Sequence, residues 1–229
     1  MTFVLVHGAC HGGWCWSRVA PLLRAAGHDV FTPTLTGFGE RAHLLTADVG
    51  PATVVQDVVA VLECEELTDV VLVGHSFGAL VALGVADRVP ERLARLVILD
   101  GVLVDPGQPG FAGLPPEAAR ERTAQAAGGP TYPPPPATNF GVSDPSDLAW
   151  LQRRLTPHPL RTYTEPFGLR APLGNGVPTT YVRCTDPVYT PVDAAEAIVA
   201  REGWERRELA TGHDAMITAP ELTAQMLLS

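Results

Sequence analysis

The chain has 229 residues, 46% of them hydrophobic and 18% charged, with a formal net charge of −9. That length suits a single domain able to bury a sizeable core, and no stretch approaches the roughly 18 unbroken apolar residues of a membrane span. The acidic balance argues against nucleic acid or an anionic lipid surface as partner, because all sixteen basic residues are arginines and none cluster. A small-molecule substrate is the expected partner, with homodimerisation left open. The start, Met1 to His7, has no basic segment and too few apolar residues for a signal-peptide core, so a cytoplasmic location is expected. Cys10, Cys15, Cys64 and Cys184 lack framework spacing and read as free thiols. His7, Cys10, His11 and Cys15 are close in sequence, but they straddle a strand end and a Gly-rich loop. No metal or cofactor is expected.

Phe3 to Val6 is a continuous apolar run, as a strand buried on both faces requires, and it feeds the loop His7-Gly8-Ala9-Cys10-His11-Gly12-Gly13. Apolar residues at Trp16, Val19, Leu22, Leu23 and Ala26 recur at helical spacing until Gly27 stops them. His28 to Thr32 is a short strand, and Thr34 to Val49 a polar loop. Thr53 then caps a helix running to Glu66, with Val54, Val55, Val58, Val59 and Leu62 inward. Val70 to Val73 is a second buried run, which breaks into Gly74-His75-Ser76-Phe77-Gly78 and continues as a small-residue helix. Leu96 to Leu99 is a further strand ending at Asp100-Gly101. Alternating strand and helix of this kind implies a parallel sheet.

From about 102 to 176 the pattern changes to Pro- and Gly-rich sequence that holds helical islands at Pro116 to Ala127 and Ser146 to Leu155 but no strand. This reads as an inserted cap whose Leu114, Phe140, Trp150, Leu151, Leu155 and Phe167 would roof a pocket. Tyr181 to Cys184 resumes the sheet, Val192 to Arg201 is a helix, and Arg206 to Leu209 is the last strand. Thr211-Gly212-His213-Asp214 follows, and Pro220 to Leu228 closes the chain as a helix.

A serine in G-x-S-x-G between a strand and a helix is pushed out at the top of the sheet, where it can attack a carbonyl. The helix behind it aims amides and the positive end of its dipole at a developing oxyanion. Serine needs a base to take its proton and a carboxylate to orient that base. His213, in the loop after the last strand, is the best-placed of seven histidines. His75 lies inside the elbow, His7 and His11 in the first loop, His28 at a strand start, His43 in a loop and His158 in the cap. Two carboxylates compete for the third role. Asp186 ends the strand after the cap and is preferred, while Asp100 ends the strand after the elbow helix; Asp193 and Asp214 rank behind both. The amides of Ala9 and Phe77 are placed to form an oxyanion hole.

Phe3 to Trp16 resembles the opening of the plant methylesterase and hydroxynitrile lyase family. The likeness extends through Pro21-Leu22-Leu23, Ala25 to His28, the elbow, Tyr181 to Thr185 and Gly212-His213, covering the core but hardly the cap. The resemblance implies an α/β-hydrolase fold with a parallel sheet of about six strands, and makes Ser76 the nucleophile, His213 the base and the Ala9 and Phe77 amides the oxyanion hole. Two departures matter. The family's acid usually stands where this chain has Pro187, one residue after Asp186. The lyases also resemble one another in a threonine at the place of Gly8 and a lysine at the place of Asp214. A carboxylate there would repel a cyanide leaving group, so hydrolysis of a small, largely apolar ester is expected. The alternatives are a carbon–carbon or amide-bond-cleaving relative on the same triad and a non-catalytic ligand-binding protein on the same scaffold.

Overall fold

A computed structural model describes all 229 residues. In chain order it has β1 (Thr2–Val6), α1 (Ala20–Ala25), β2 (Asp29–Phe31), α2 (Pro51–Cys64), β3 (Val70–His75), α3 (Gly78–Arg88) and β4 (Leu93–Leu99). Next come α4 (Pro116–Gln125), β5 (Thr131–Tyr132), α5 (Pro145–Gln152), β6 (His158–Pro159) and α6 (Arg161–Thr164). The chain ends with β7 (Thr179–Cys184), α7 (Ala195–Glu202), β8 (Glu205–Leu209), α8 (Ala215–Thr218) and α9 (Pro220–Leu228). No helix is long and apolar enough to cross a membrane.

Six strands form one sheet in the order β2-β1-β3-β4-β7-β8, every neighbouring pair parallel. Parallel strands need crossovers, and the crossover helices cover both faces, which is why Phe3 to Val6 of β1, Val70 to Val73 of β3 and Leu96 to Leu99 of β4 read as unbroken apolar runs. Alternate residues of one strand supply two separate cores. Val4, Val6, Leu72 and Ile98 join the cluster on one side; Phe3, Leu5, Val71, Val73, Val97 and Leu99 join the cluster on the other. The chain leaves β1 for β2 on one side and returns to β3 on the other, so the β1 and β3 ends flank the point where the winding reverses. Ligands bind at the carboxyl ends beside such a point.

Several boundaries differ from the sequence reading. The first helical stretch is broken: residues Gly13–Trp16 form a 3₁₀ turn, and α1 starts only at Ala20, with Pro21 in its first turn. The second helix starts at Pro51 behind Gly50, since proline's missing N–H costs nothing there, and Thr53 serves as its third residue. The segment between β4 and β7 adds no strand to the main sheet. It does contain strands, contrary to expectation: β5 and β6 pair antiparallel through Thr131 with Pro159 and Tyr132 with His158. Two residues a side are too short to show a periodicity.

Candidate active site

Each strand end delivers one part. β3 stops at His75, and Ser76 takes φ 53°, a left-handed conformation uncommon for a non-glycine residue. Its amide donates to the Leu99 carbonyl at 3.0 Å, and its carbonyl accepts from Val102 at 3.0 Å. The turn is therefore tied to the neighbouring strand. The flanking glycines are required by close approach: a Cβ on Gly74 would lie 2.5 Å from the Gly78 carbonyl oxygen, and one on Gly78 would lie 2.7 Å from the carbonyl oxygens of Val6 and His7. Helix α3 starts at Gly78, two residues after the serine rather than at it.

His213 Nε2 lies 2.9 Å from Ser76 Oγ, and His213 Nδ1 lies 2.7 Å from Asp100 Oδ2. All three side chains are buried. The sequence reading preferred Asp186 with Asp100 as the alternative, and the structure brings Asp100, not Asp186, to His213. Asp186 is exposed in the turn after β7, where its amide donates to the Thr211 carbonyl and its carboxylate makes no hydrogen bond or ion pair. Asp100 sits at the end of β4 with φ 44°, fully buried, and its Oδ1 accepts from Arg183 Nη1 at 3.0 Å and from the Cys184 amide at 3.1 Å. Parallel pairing of β4 with β7 sets Leu99 beside Val182 and so brings Arg183 to Asp100. Arg183 also contacts the Tyr189 carbonyl and the Asp193 carboxylate. A signal for this residue existed, because an arginine inside a buried strand needs a carboxylate partner.

Further residues hold His213. His75 Nε2 donates to the His213 carbonyl oxygen at 2.9 Å, and burial, with His213 nearby, keeps its imidazole neutral, its pKa far below 6.5. Tyr189 stacks on the His213 ring at a centroid distance of 3.9 Å. His7 is structural: its Nδ1 donates to the Gly8 carbonyl, its Nε2 accepts from the Leu35 amide, and burial lowers its pKa to about 3. His11 is different. Nδ1 faces the Ala9 carbonyl at 2.8 Å and Nε2 faces Asp214 Oδ2 at 3.2 Å, so both nitrogens meet acceptors, as in an imidazolium. Burial opposes that charge, but the Asp214 carboxylate and the hydrogen bonds outweigh it and raise the pKa above 6.5. Asp214 is lowered in turn, with burial outweighed by His11.

The amides of Ala9 and Phe77 lie outside every helix and strand and make no loop or cap hydrogen bond. A tight cavity beside Ser76 is lined by Ala9, His11, His213 and, from the segment between β4 and β7, Arg122, Tyr132 and Tyr163. Measured at the centre of a water molecule its volume is about 10 Å³, room for roughly one water. No three His, Cys, Asp or Glu side chains converge as a metal site, and all four cysteines are free thiols. Burial pushes the Cys10 thiol up to about 12, so it is no competing nucleophile.

A parallel sheet carrying a serine elbow, with a histidine and an aspartate on adjoining loops, defines an α/β-hydrolase architecture. The chain belongs to the alpha/beta hydrolase family, whose model matches residues 3–226. A carbendazim hydrolyzing esterase of Nocardioides sp. (strain SG-4G) is 40% identical over 238 residues, spanning 98% of this chain and 97% of that protein. Methylesterase 2 of Arabidopsis thaliana is 38% identical over 105 residues, which is 45% of this chain and 40% of the plant protein. Among solved structures, an extracellular alpha/beta-hydrolase from a Paenibacillus species superposes with a TM-score of 0.86, covering 100% of this chain and 98% of its own, at 24% identity. That last likeness speaks for the fold alone. The relatives of known activity place the chain among the carboxylic ester hydrolases.

Proposed function

We propose that this esterase cleaves a small ester with a largely apolar body through an acyl-enzyme on Ser76. The observation that carries the reading is His213 bridging Ser76 Oγ and the Asp100 carboxylate at 2.9 and 2.7 Å. Asp100 accepts from Nδ1–H, which leaves Nε2 free to take the serine proton as Oγ attacks the carbonyl carbon. The Ala9 and Phe77 amides donate to the resulting oxyanion. Collapse breaks the C–O bond, and His213 returns the proton to the departing alcohol. Water then attacks the acyl-enzyme with its proton passing to Nε2; the acid leaves and Ser76 is restored. Phe77 itself is packed among Phe38, His158 and Tyr163, which keeps its backbone in place. The likeness to a carbendazim hydrolyzing esterase over nearly the whole chain supports ester hydrolysis. The segment between β4 and β7 serves as the cap over this site. The test is covalent labelling by a fluorophosphonate probe together with turnover of short 4-nitrophenyl esters. Ser76→Ala is expected to abolish both, and full turnover in that variant would overturn the reading.

A further inference from the structure

Eight buried side-chain polar atoms have no hydrogen-bond partner in the protein, and four of them belong to residues lining the cavity beside Ser76: His75, Arg122, Tyr132 and Asp214. Buried polar groups are ordinarily paired within the fold, so a concentration of orphans around one cavity marks where a bound molecule supplies partners. His75 Nδ1 and Asp214 Oδ1 are explained by the other half of each group, which holds His213 and His11. Arg122 is not explained in this way.

Arg122 lies on α4, and its guanidinium carbon sits 5.6 Å from the ring centroids of both Tyr132 and Tyr163. The same cavity is lined by the phenols of Tyr132, Tyr163 and Tyr189, the Cys10 thiol and Asp214, whose carboxylate pairs with His11 rather than with Arg122. Buried Arg183, by contrast, has Asp100 and Asp193. Aromatic faces attract a guanidinium without using all of its N–H donors, and an unused donor can take a carboxylate. Buried Nη1 is such an unused donor.

Position adds to chemistry. Arg122, Tyr132, Pro135 and Tyr189 line both the tight cavity and a wide outer groove of about 430 Å³, so they form the threshold between them. The groove's one carboxylate, that of Glu121, accepts from Gln125 Nε2 and does not pair with Arg122. Because the closed cavity admits only a small group, the longer part of an ester must extend from Ser76 towards this threshold.

We propose that Arg122 is a specificity-determining residue that holds an ionised carboxylate on the acyl part of the substrate, so that hemi-esters of short dicarboxylic acids are preferred over neutral esters. This rests on the ester-hydrolase reading of Ser76. Two measurements separate the two ideas. Turnover of neutral dimethyl esters tests the reading of Ser76. The ratio of kcat/KM for monomethyl succinate, glutarate and adipate to that for the corresponding dimethyl esters tests Arg122. One charge-assisted pair predicts that Arg122→Met lowers this ratio about ten- to a hundredfold, chiefly through KM, and that Arg122→Lys retains part of it. In the Ser76→Ala protein, calorimetry should find monomethyl glutarate bound more tightly than dimethyl glutarate, with the preference lost on adding Arg122→Met. Equal binding of anion and diester, or an equal fall in turnover of both ester types in Arg122→Met, would overturn the proposal.

Discussion

The floor and the ceiling of the candidate site are built on opposite principles. On the floor, formed by the ends of the main sheet, the reacting side chains are cross-linked. Asp100 accepts from Arg183, Cys184 and His213, and His213 is held by Asp100, by His75 through its carbonyl, and by Ser76. The ceiling comes from the segment between β4 and β7, and its polar atoms Arg122 Nη1 and Tyr132 OH are left without partners. The mutual hydrogen bonds of Ser76, His213 and Asp100 keep their geometry within the small tolerance that reaction requires, even though His75 Nδ1 beside them is unpaired, whereas the free donors of the ceiling leave hydrogen-bonding capacity for whatever binds. Chemistry and selectivity should therefore respond to different mutations.

The largest effect is expected where the floor loses its orienting group. Asp100→Asn should lower turnover by about 10⁴-fold, because an amide in place of the carboxylate favours the wrong imidazole tautomer, with ground-state binding little changed. Steady-state kinetics with a 4-nitrophenyl ester decide this. A smaller but still large loss follows from crowding the same floor. A Cβ at Gly8 would lie 2.8 Å from His75 Nδ1 and 3.0 Å from Ser76 Cβ, so Gly8→Thr must displace the histidine that holds His213. About 10²-fold in kcat is expected, with circular dichroism showing a retained fold.

The pair His11–Asp214 stands at the seam between floor and ceiling, and its effect is on stability. The raised pKa of His11 means its contribution is complete below the ordinary 6.5 and is lost as pH rises through the higher folded value. Asp214 is lowered, so its contribution is present above the ordinary 3.8 and is lost as pH falls through the lower folded value. The difference in Tm between the wild type and Asp214→Asn should thus be greatest from about pH 4 to 6.5 and shrink on either side. A difference constant from pH 3 to 9 would show that the pair is not charged. Asp186→Asn sharpens the comparison from the other end. Its exposed carboxylate touches neither region, so unchanged turnover and a stability shift within about 0.5 kcal/mol are expected. A loss comparable with that of Asp100→Asn would return the third role to Asp186.

Much of the floor is legible in the sequence. The runs at Phe3 to Val6, Val70 to Val73 and Leu96 to Leu99 are apolar at every position because both sheet faces are covered, and that is a local property of the chain. The elbow is partly local: Gly74 answers to Gly78 and Ala79 within the turn, whereas Gly78 answers to the Val6 and His7 carbonyls at the end of the neighbouring strand β1. His213 followed from its place after the last strand. The choice between Asp100 and Asp186 was not local. Both end a strand with the same chemical side chain, and they are told apart by lateral pairing: β4 lies between β3 and β7, while Asp186 has already turned outward beyond β7. The two-residue strands β5 and β6, the His11–Asp214 pair 203 residues apart, and the guanidinium of Arg122 among three tyrosines likewise exist only once distant segments meet. Sequence by itself determined the elements whose signal is periodic or stereochemical, because such signals depend on neighbours a few residues away. Tertiary structure alone decided which charges are buried together, because burial and pairing depend on which strand lies beside which, and no periodicity along the chain encodes that.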